Sequence, residues 1–431
     1  MRIEILNTGS ELMLGRVLNT HQQWLCRQLT DLGYPVERQV AVDDSSEAIE
    51  QAAREALERA ELVIVTGGLG PTSDDRTRER IAALLGRTLR EDATVLASIE
   101  AMFAGRRRPM PHSTRVQAMV PDGATVLSNS HGTAPGLVME VPKPTHEAAG
   151  LPQSSKLLVL LPGPPRELHP MFLEQVVPLL KRHFPSREPF VCRTLKTTGL
   201  GESMVEERIA APLSALTASG LELGYCARLG EVDLRLVARG PSASQKVSDA
   251  EQIARSLLGD LIYGVDDESL EAVLVRRLTD GRETLALAES CTGGWIANRI
   301  TNVPGASAIF RAGWVTYSNE AKQRCLGVRA ETLATHGAVS EAVAREMAEG
   351  ARREAGGVSY AAAVTGIAGP SGGSAEKPVG TVWMAVASRS GTVTQRRMNP
   401  FDRESFKFVT SQQVLDLLRR EMLGGGETSR K

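Results

Sequence analysis

Residues 289–294, Glu-Ser-Cys-Thr-Gly-Gly, set a hydroxyl and a thiol side by side just ahead of two glycines. The apolar LALAE precedes them and WIANRI, helix-like in pattern, follows, so the run reads as strand, tight turn and helix start. Such a turn presents a nucleophile, and the first amides of a helix can face a developing oxyanion. Both Ser290 and Cys291 qualify. A thiolate is intrinsically reactive, and a helix N-terminus lowers its pKa. However, no His or Asn partner lies in the neighbouring motifs, and cysteines beside a strand end are mostly small packed residues. Ser290 is the better candidate. The plain alternative is that Ser290 only caps the helix.

The motif VTYSNEAK supplies Tyr317 and Lys322, either of which can take a proton from a serine if held close with a perturbed pKa. Asn319, in the same motif, is a substrate contact or the cap of the helix EAKQRCL. VTGIAGPSGG places Thr365 and Gly366 on a second glycine-rich turn after a strand, suited to orienting a ligand. Arg403, in FDRESF, can pair with a phosphate or stand exposed at a helix start. Amides around Thr292, Gly293 and Gly294, with Cys291 beside them, are the expected oxyanion and substrate contacts.

A second constellation lies near the N-terminus. In TGGLGPTSDD (66–75), Gly67, Gly68 and Gly70 permit a tight turn with successive N–H groups, an anion cradle that includes Thr72. Asp74 and Asp75 are expected in the first turn of DRTRERIAALLG, either capping it or holding a divalent cation over a pyrophosphate. Glu11, in TGSELMLG, is a further metal ligand or a cap. Pro162, Pro164 and Pro165 read as a rigid turn, and Arg106, Arg107 and Arg108 as a solvated run.

The elements that must position these groups fall into three segments. Through 1–182, apolar runs end in Gly- or Pro-rich loops followed by helical stretches: RIEIL into NTGSE, LVIVT into GGLGPTSDD, LLVLL into PGPPRE. That alternation argues for a parallel α/β sheet whose special loops gather at the strands' carboxyl ends. Segment 188–260 reads strand, helix, strand, strand, helix, a small α+β module, and GDLIYGVDDES (259–269) reads as a linker. Segment 268–424 returns to α/β alternation, with TLALAE, GWVTYS, YAAAVTG and VGTVWMAVAS as strands. KPTHEAAGLPQSSK (143–156) is read as a solvated loop and GGGETSRK as a disordered tail.

With 431 residues, two or three domains are expected. A formal net charge of −1 leaves no global field to recruit nucleic acid or an anionic membrane. MRIEILNTGSE, with Arg2 and Glu4, reads as a strand rather than a leader, and no apolar run is long enough to span a bilayer. The five cysteines form no CxxC pair, which fits reduced thiols and a cytoplasmic location. The seven histidines make no HxxxH or HExxH pattern, so zinc is not expected.

These motifs together resemble the CinA family (competence/damage-inducible proteins) over nearly the whole chain. The N-terminal likeness rests on TGSELMLGRVLNT, VTGGLGPTSDDRTRE, QAMVPDGATVLSNSHGTAPG and LPGPPRELHPMF. It implies a molybdopterin-binding-like α/β domain with metal-dependent hydrolysis of ADP-ribose. Ser10 and His21 depart from that pattern, standing where many members carry Asp and Asn. The middle segment is similar to the family's KH-like module. The C-terminal likeness rests on AESCTGGWIANRIT, VPGAS, GWVTYSNEAKQRCLGV, GAVSE, VTGIAGPSGG and KPVGTVW. It implies a nicotinamide mononucleotide amidohydrolase with Ser290 as nucleophile, Lys322 or Tyr317 as base, and no cofactor. The resemblance also implies a homodimer acting on small nucleotides. Two other functional classes compete: an inert nucleotide- or pterin-binding protein, and an RNA binder using GLGE (199–202) as a GxxG clamp. That loop lacks a basic residue between its glycines and fits a helix entry better, so nucleic acid is not expected.

Overall fold

Ile3–Thr8, Leu62–Thr66 and Lys156–Leu161 are buried at every position, as expected of strands covered on both faces. The computed structural model describes residues 1–142, 155–185 and 188–424. Contacts divide it into two units, Met1–Phe190 and Val191–Lys431.

The first unit is built on a six-stranded sheet in the order Arg38–Val42, Ile3–Thr8, Leu62–Thr66, Lys156–Leu161, Gly136–Val141, Thr125–Leu127. The first four strands are parallel, and the last two join antiparallel. The sheet is therefore mixed, where the sequence suggested a parallel one. The three long apolar runs occupy its centre, and the loops after them converge at one end. Most of the polar loop 143–156 lies outside the described residues, as does the tail beyond 424.

The second unit contains two sheets. Leu221–Arg228, Glu231–Arg239, Phe190–Thr198 and Ile262–Val265 form one, in that order. Ile262–Val265 lies within the stretch read as a linker, yet it pairs antiparallel with Phe190–Thr198 as an edge strand. Ile262 is buried in the module's apolar cluster and Tyr263 in that of the segment that follows, so the linker reading is corrected. The first helix expected in this segment is broken into Glu202–Ile209 and Ser214–Ala218, with Pro212 at the break.

The other sheet runs Phe310–Val315, Leu285–Glu289, Tyr360–Gly366, Thr381–Ala387, Thr392–Met398. Its first three strands are parallel and its last two antiparallel. Leu285 and Leu287 point into one apolar cluster, with Phe406, Leu415 and Leu418 of the long helix Arg403–Met422. Ala286 and Ala288 point into the opposite cluster, with Met347 and Ala351 of the helix Glu341–Glu354. Each large side chain so buried contributes roughly 1.5–3 kcal/mol. No helix among the described residues is long and apolar enough to cross a membrane.

Candidate functional site

Leu285–Glu289 is buried throughout, and its pairing continues one step beyond the strand, the Ser290 amide donating to the Val364 carbonyl at 3.1 Å. The chain then turns: the Gly293 amide donates to the Ser290 carbonyl at 3.1 Å. Gly293 (φ 63°) and Gly294 (φ 95°) both take the left-handed backbone that side chains disfavour. The helix Trp295–Thr301 begins immediately after.

Glu289 organises this turn. Its buried carboxylate accepts from Thr292 Oγ1 at 2.6 Å and from the amides of Gly294, Ile296 and Ala297 at 3.0, 3.2 and 2.8 Å. The carboxylate thus caps the helix from the strand side, and Ser290 has no capping task. The capping role that Ser290 offers by residue type falls instead to Glu289, a residue type not favoured at that position. Glu289→Ala should lower stability by about 3 kcal/mol or more, because it strands three amides and a hydroxyl. Chemical denaturation would measure it; an unchanged midpoint would refute the capping role.

Lys322 sits in the helix Asn319–Leu326 and is only 1% exposed. Its Nζ lies 3.0 Å from Ser290 Oγ and 2.7 Å from the Thr316 carbonyl, to which it donates. Burial pushes its pKa below the ordinary lysine value, with a smaller opposing effect from Cys291. Tyr317, by contrast, is 61% exposed, and its hydroxyl accepts from Arg403 at 2.6 Å. The structure therefore brings Lys322, rather than Tyr317, to the serine. Cys291 is buried, and desolvation pushes its thiol up to about 12, which keeps it protonated near neutral pH.

Other expected contacts are placed differently. The amides of Gly293 and Gly294 already have acceptors, the Ser290 carbonyl and Glu289, so neither is free for an oxyanion. The Cys291 and Thr292 amides face the Cys291 sulfur. Thr365 is buried, its hydroxyl donating to the Ala338 carbonyl at 2.8 Å; Gly366 packs closely, an added Cβ meeting the Thr381 carbonyl at 2.8 Å. Asn319 is exposed, and Ser318 rather than Asn319 caps its helix, accepting from the Ala321 amide. Arg403 also donates to the Gly369 carbonyl at 2.7 Å. Lys407, absent from the sequence reading, stands 5.1 Å over the Trp295 ring. Its signal was its place one turn after Arg403.

In the first unit, the loops after the central strands enclose a cavity of about 600 Å³ bordered by Glu11, Gly67, Gly68, Gly70, Asp74 and Asp75. Gly68 (φ 64°) is obligatory, since a Cβ there would fall 2.0 Å from Thr77 Oγ1. Asp74 and Asp75 do not lie in a helical turn, because the helix starts at Thr77. Asp75 instead closes a turn onto Thr72, accepting from its amide at 3.0 Å and from its hydroxyl. Glu11 is exposed. Among the described residues no three His, Cys, Asp or Glu side chains gather as a metal-holding group, while Glu11, Asp74 and Asp75 all border the one cavity. Ser10 pairs with Asp44, donating its amide at 2.7 Å. His21 borders the cavity, and burial lowers its pKa. Asp44, Gln117 and Glu167 also line it and were not foreseen.

Three family models match the chain. The CinA C-terminal domain matches residues 267–422, the probable molybdopterin binding domain 4–182, and the damage-inducible protein CinA KH domain 192–264. A CinA-like protein of Akkermansia muciniphila is 46% identical over 426 residues, 98% of either chain. A protein of Moorella thermoacetica named as competence-damage inducible is 44% identical over 425 residues, 98% of this chain and 99% of that one. A crystal structure of a competence/damage inducible protein from Agrobacterium tumefaciens is 42% identical, with a TM-score of 0.33, covering 35% of this chain and 95% of its own.

Proposed function

The chain belongs to the CinA family, with a molybdopterin-binding-like domain, a KH-like module and a CinA C-terminal domain, and from that premise we propose that the last of these hydrolyses the carboxamide of nicotinamide mononucleotide. The products are nicotinate mononucleotide and ammonia. The observation that carries this reading is the buried 3.0 Å contact between Lys322 Nζ and Ser290 Oγ. A serine paired with a desolvated lysine is an established way to activate a hydroxyl for acyl transfer.

With Lys322 neutral, one N–H donates to the Thr316 carbonyl and the lone pair turns to Ser290. The Oγ–H proton passes to Lys322 as Oγ bonds to the carboxamide carbon. The carbonyl oxygen becomes an oxyanion at the amide-rich start of the turn, where the Cys291 and Thr292 amides stand beside the Cys291 sulfur. Lys322 returns its proton to the departing nitrogen, the C–N bond breaks, and ammonia leaves an ester on Ser290. Water then attacks the ester and gives its proton to Lys322, and Ser290 regains it as the acid departs.

For the N-terminal cavity the reading is a nucleotide pyrophosphate of the ADP-ribose kind, bound on the glycine-loop amides. The amidase reading is tested by incubating the purified chain with nicotinamide mononucleotide. Ammonia and nicotinate mononucleotide should form in equal amounts; absence of both at neutral and alkaline pH would sink it.

A further inference from the structure

We propose that Arg403 and Lys407 form a dianion subsite beside the nucleophile turn, and that Lys407 makes the site prefer a phosphorylated nucleotide to the nucleoside that lacks the phosphate. The proposal rests on the amide-hydrolysis reading above. The two residues are one turn apart near the start of the helix Arg403–Met422, so their side chains share a face. Arg403 is tied to the loop after Gly366 through the Gly369 carbonyl, and to Tyr317 through its hydroxyl. These contacts engage two of the five guanidinium N–H donors and leave the rest for a ligand.

Lys407 reaches the other side of the site. Its ammonium lies over Trp295, and a Cβ placed on Gly293 would come within 3.8 Å of it. Its position is therefore above the glycine turn that follows Ser290. A cation over a part-exposed ring is weakly held, so this ammonium can move to a stronger partner at small cost. Among the described residues neither Arg403 nor Lys407 has a carboxylate partner. Further along the same helix, Arg419 and Arg420 are both paired with Asp416.

Two uncompensated cations on one face create a local field favouring an anion, although the chain as a whole is near neutral. The planar arginine fork suits two phosphate oxygens, and the lysine adds a point charge. Held there, a nucleotide's phosphate would tether the substrate while its carboxamide meets Ser290. The nucleoside has no such handle.

The test compares nicotinamide mononucleotide with nicotinamide riboside in the intact protein, in Lys407→Met and in Lys407→Arg. The preference for the mononucleotide, as a ratio of kcat/KM values, should fall about tenfold or more in Lys407→Met, mainly through KM, and be restored in Lys407→Arg. An unchanged ratio in Lys407→Met would overturn the proposal. Inorganic phosphate provides a readout independent of turnover, through the rise in melting temperature it produces. If the intact chain turns over neither substrate, the amidase reading fails, while a phosphate effect diminished in Lys407→Met still supports the subsite. A phosphate effect equal in both proteins, without turnover, overturns the subsite as well.

Discussion

Ser290→Ala is expected to reduce ammonia release from nicotinamide mononucleotide by a factor on the order of 10⁵ or more, whereas Cys291→Ala should stay within a few-fold of the intact chain. The asymmetry follows from what surrounds each atom. Ser290 Oγ has a buried amine at 3.0 Å, able to take its proton. The Cys291 thiol is buried, with its pKa pushed up to about 12, and thiols react as thiolates. Losing its sulfur removes a small packed group and no reacting atom. Because Glu289, not Ser290, holds the helix start, Ser290→Ala should also leave the melting temperature nearly unchanged. That separates a lost nucleophile from a lost fold. If Cys291→Ala were the inactive variant, the nucleophile would be sulfur and the mechanism above would be wrong.

Lys322→Met should cost about 10³-fold or more in kcat/KM while leaving the protein at least as stable as the intact chain near neutral pH. Burial lowers the Lys322 pKa, so between the folded and unfolded values the unfolded chain holds more protons. Stability therefore rises with pH over that window. The burial penalty is fully present below the folded-state pKa and fades as pH passes the ordinary lysine value of about 10.4. Methionine fills similar space without a charge to desolvate, so the variant escapes the penalty at neutral pH. The intact chain's kcat/KM should climb with pH, its midpoint lying below the usual lysine value, since the neutral amine is the base. Melting curves and a pH–rate profile check both halves. A flat profile, or retained turnover in Lys322→Met, would remove Lys322 from the mechanism.

Much of the architecture can be read locally. Tyr360–Gly366 coincides with YAAAVTG residue for residue, because a run of small and β-branched apolar residues ending at Gly has few other uses. Edge strands are harder. Thr392–Met398 is mostly polar and fully buried nowhere, so TVTQRRM carries little apolar signal. GWVTYS was displaced: the strand is Phe310–Val315, and the chain leaves the sheet at Thr316, whose carbonyl meets Lys322. Ile262–Val265 resembles a linker because a short run flanked by Gly259-Asp260 and Asp266-Asp267 looks like a turn until a neighbouring strand pairs with it.

The candidate site divides along the same line. The chain itself determines the strand–turn–helix around Ser290, the left-handed glycines at 293 and 294, and the cradle at 67–70, since these depend on neighbours a few residues apart. Tertiary packing decided that Lys322 rather than Tyr317 faces the serine, that Glu289 rather than Ser290 caps the helix, and that Cys291 is shut away. It also decided that Asp75 turns onto Thr72, and that Lys407 stands over Trp295. The physical reason is one of range. Backbone conformation is set by local sterics and periodicity, whereas burial, and with it pKa and partner choice, depends on residues far apart in the chain that only the fold brings together.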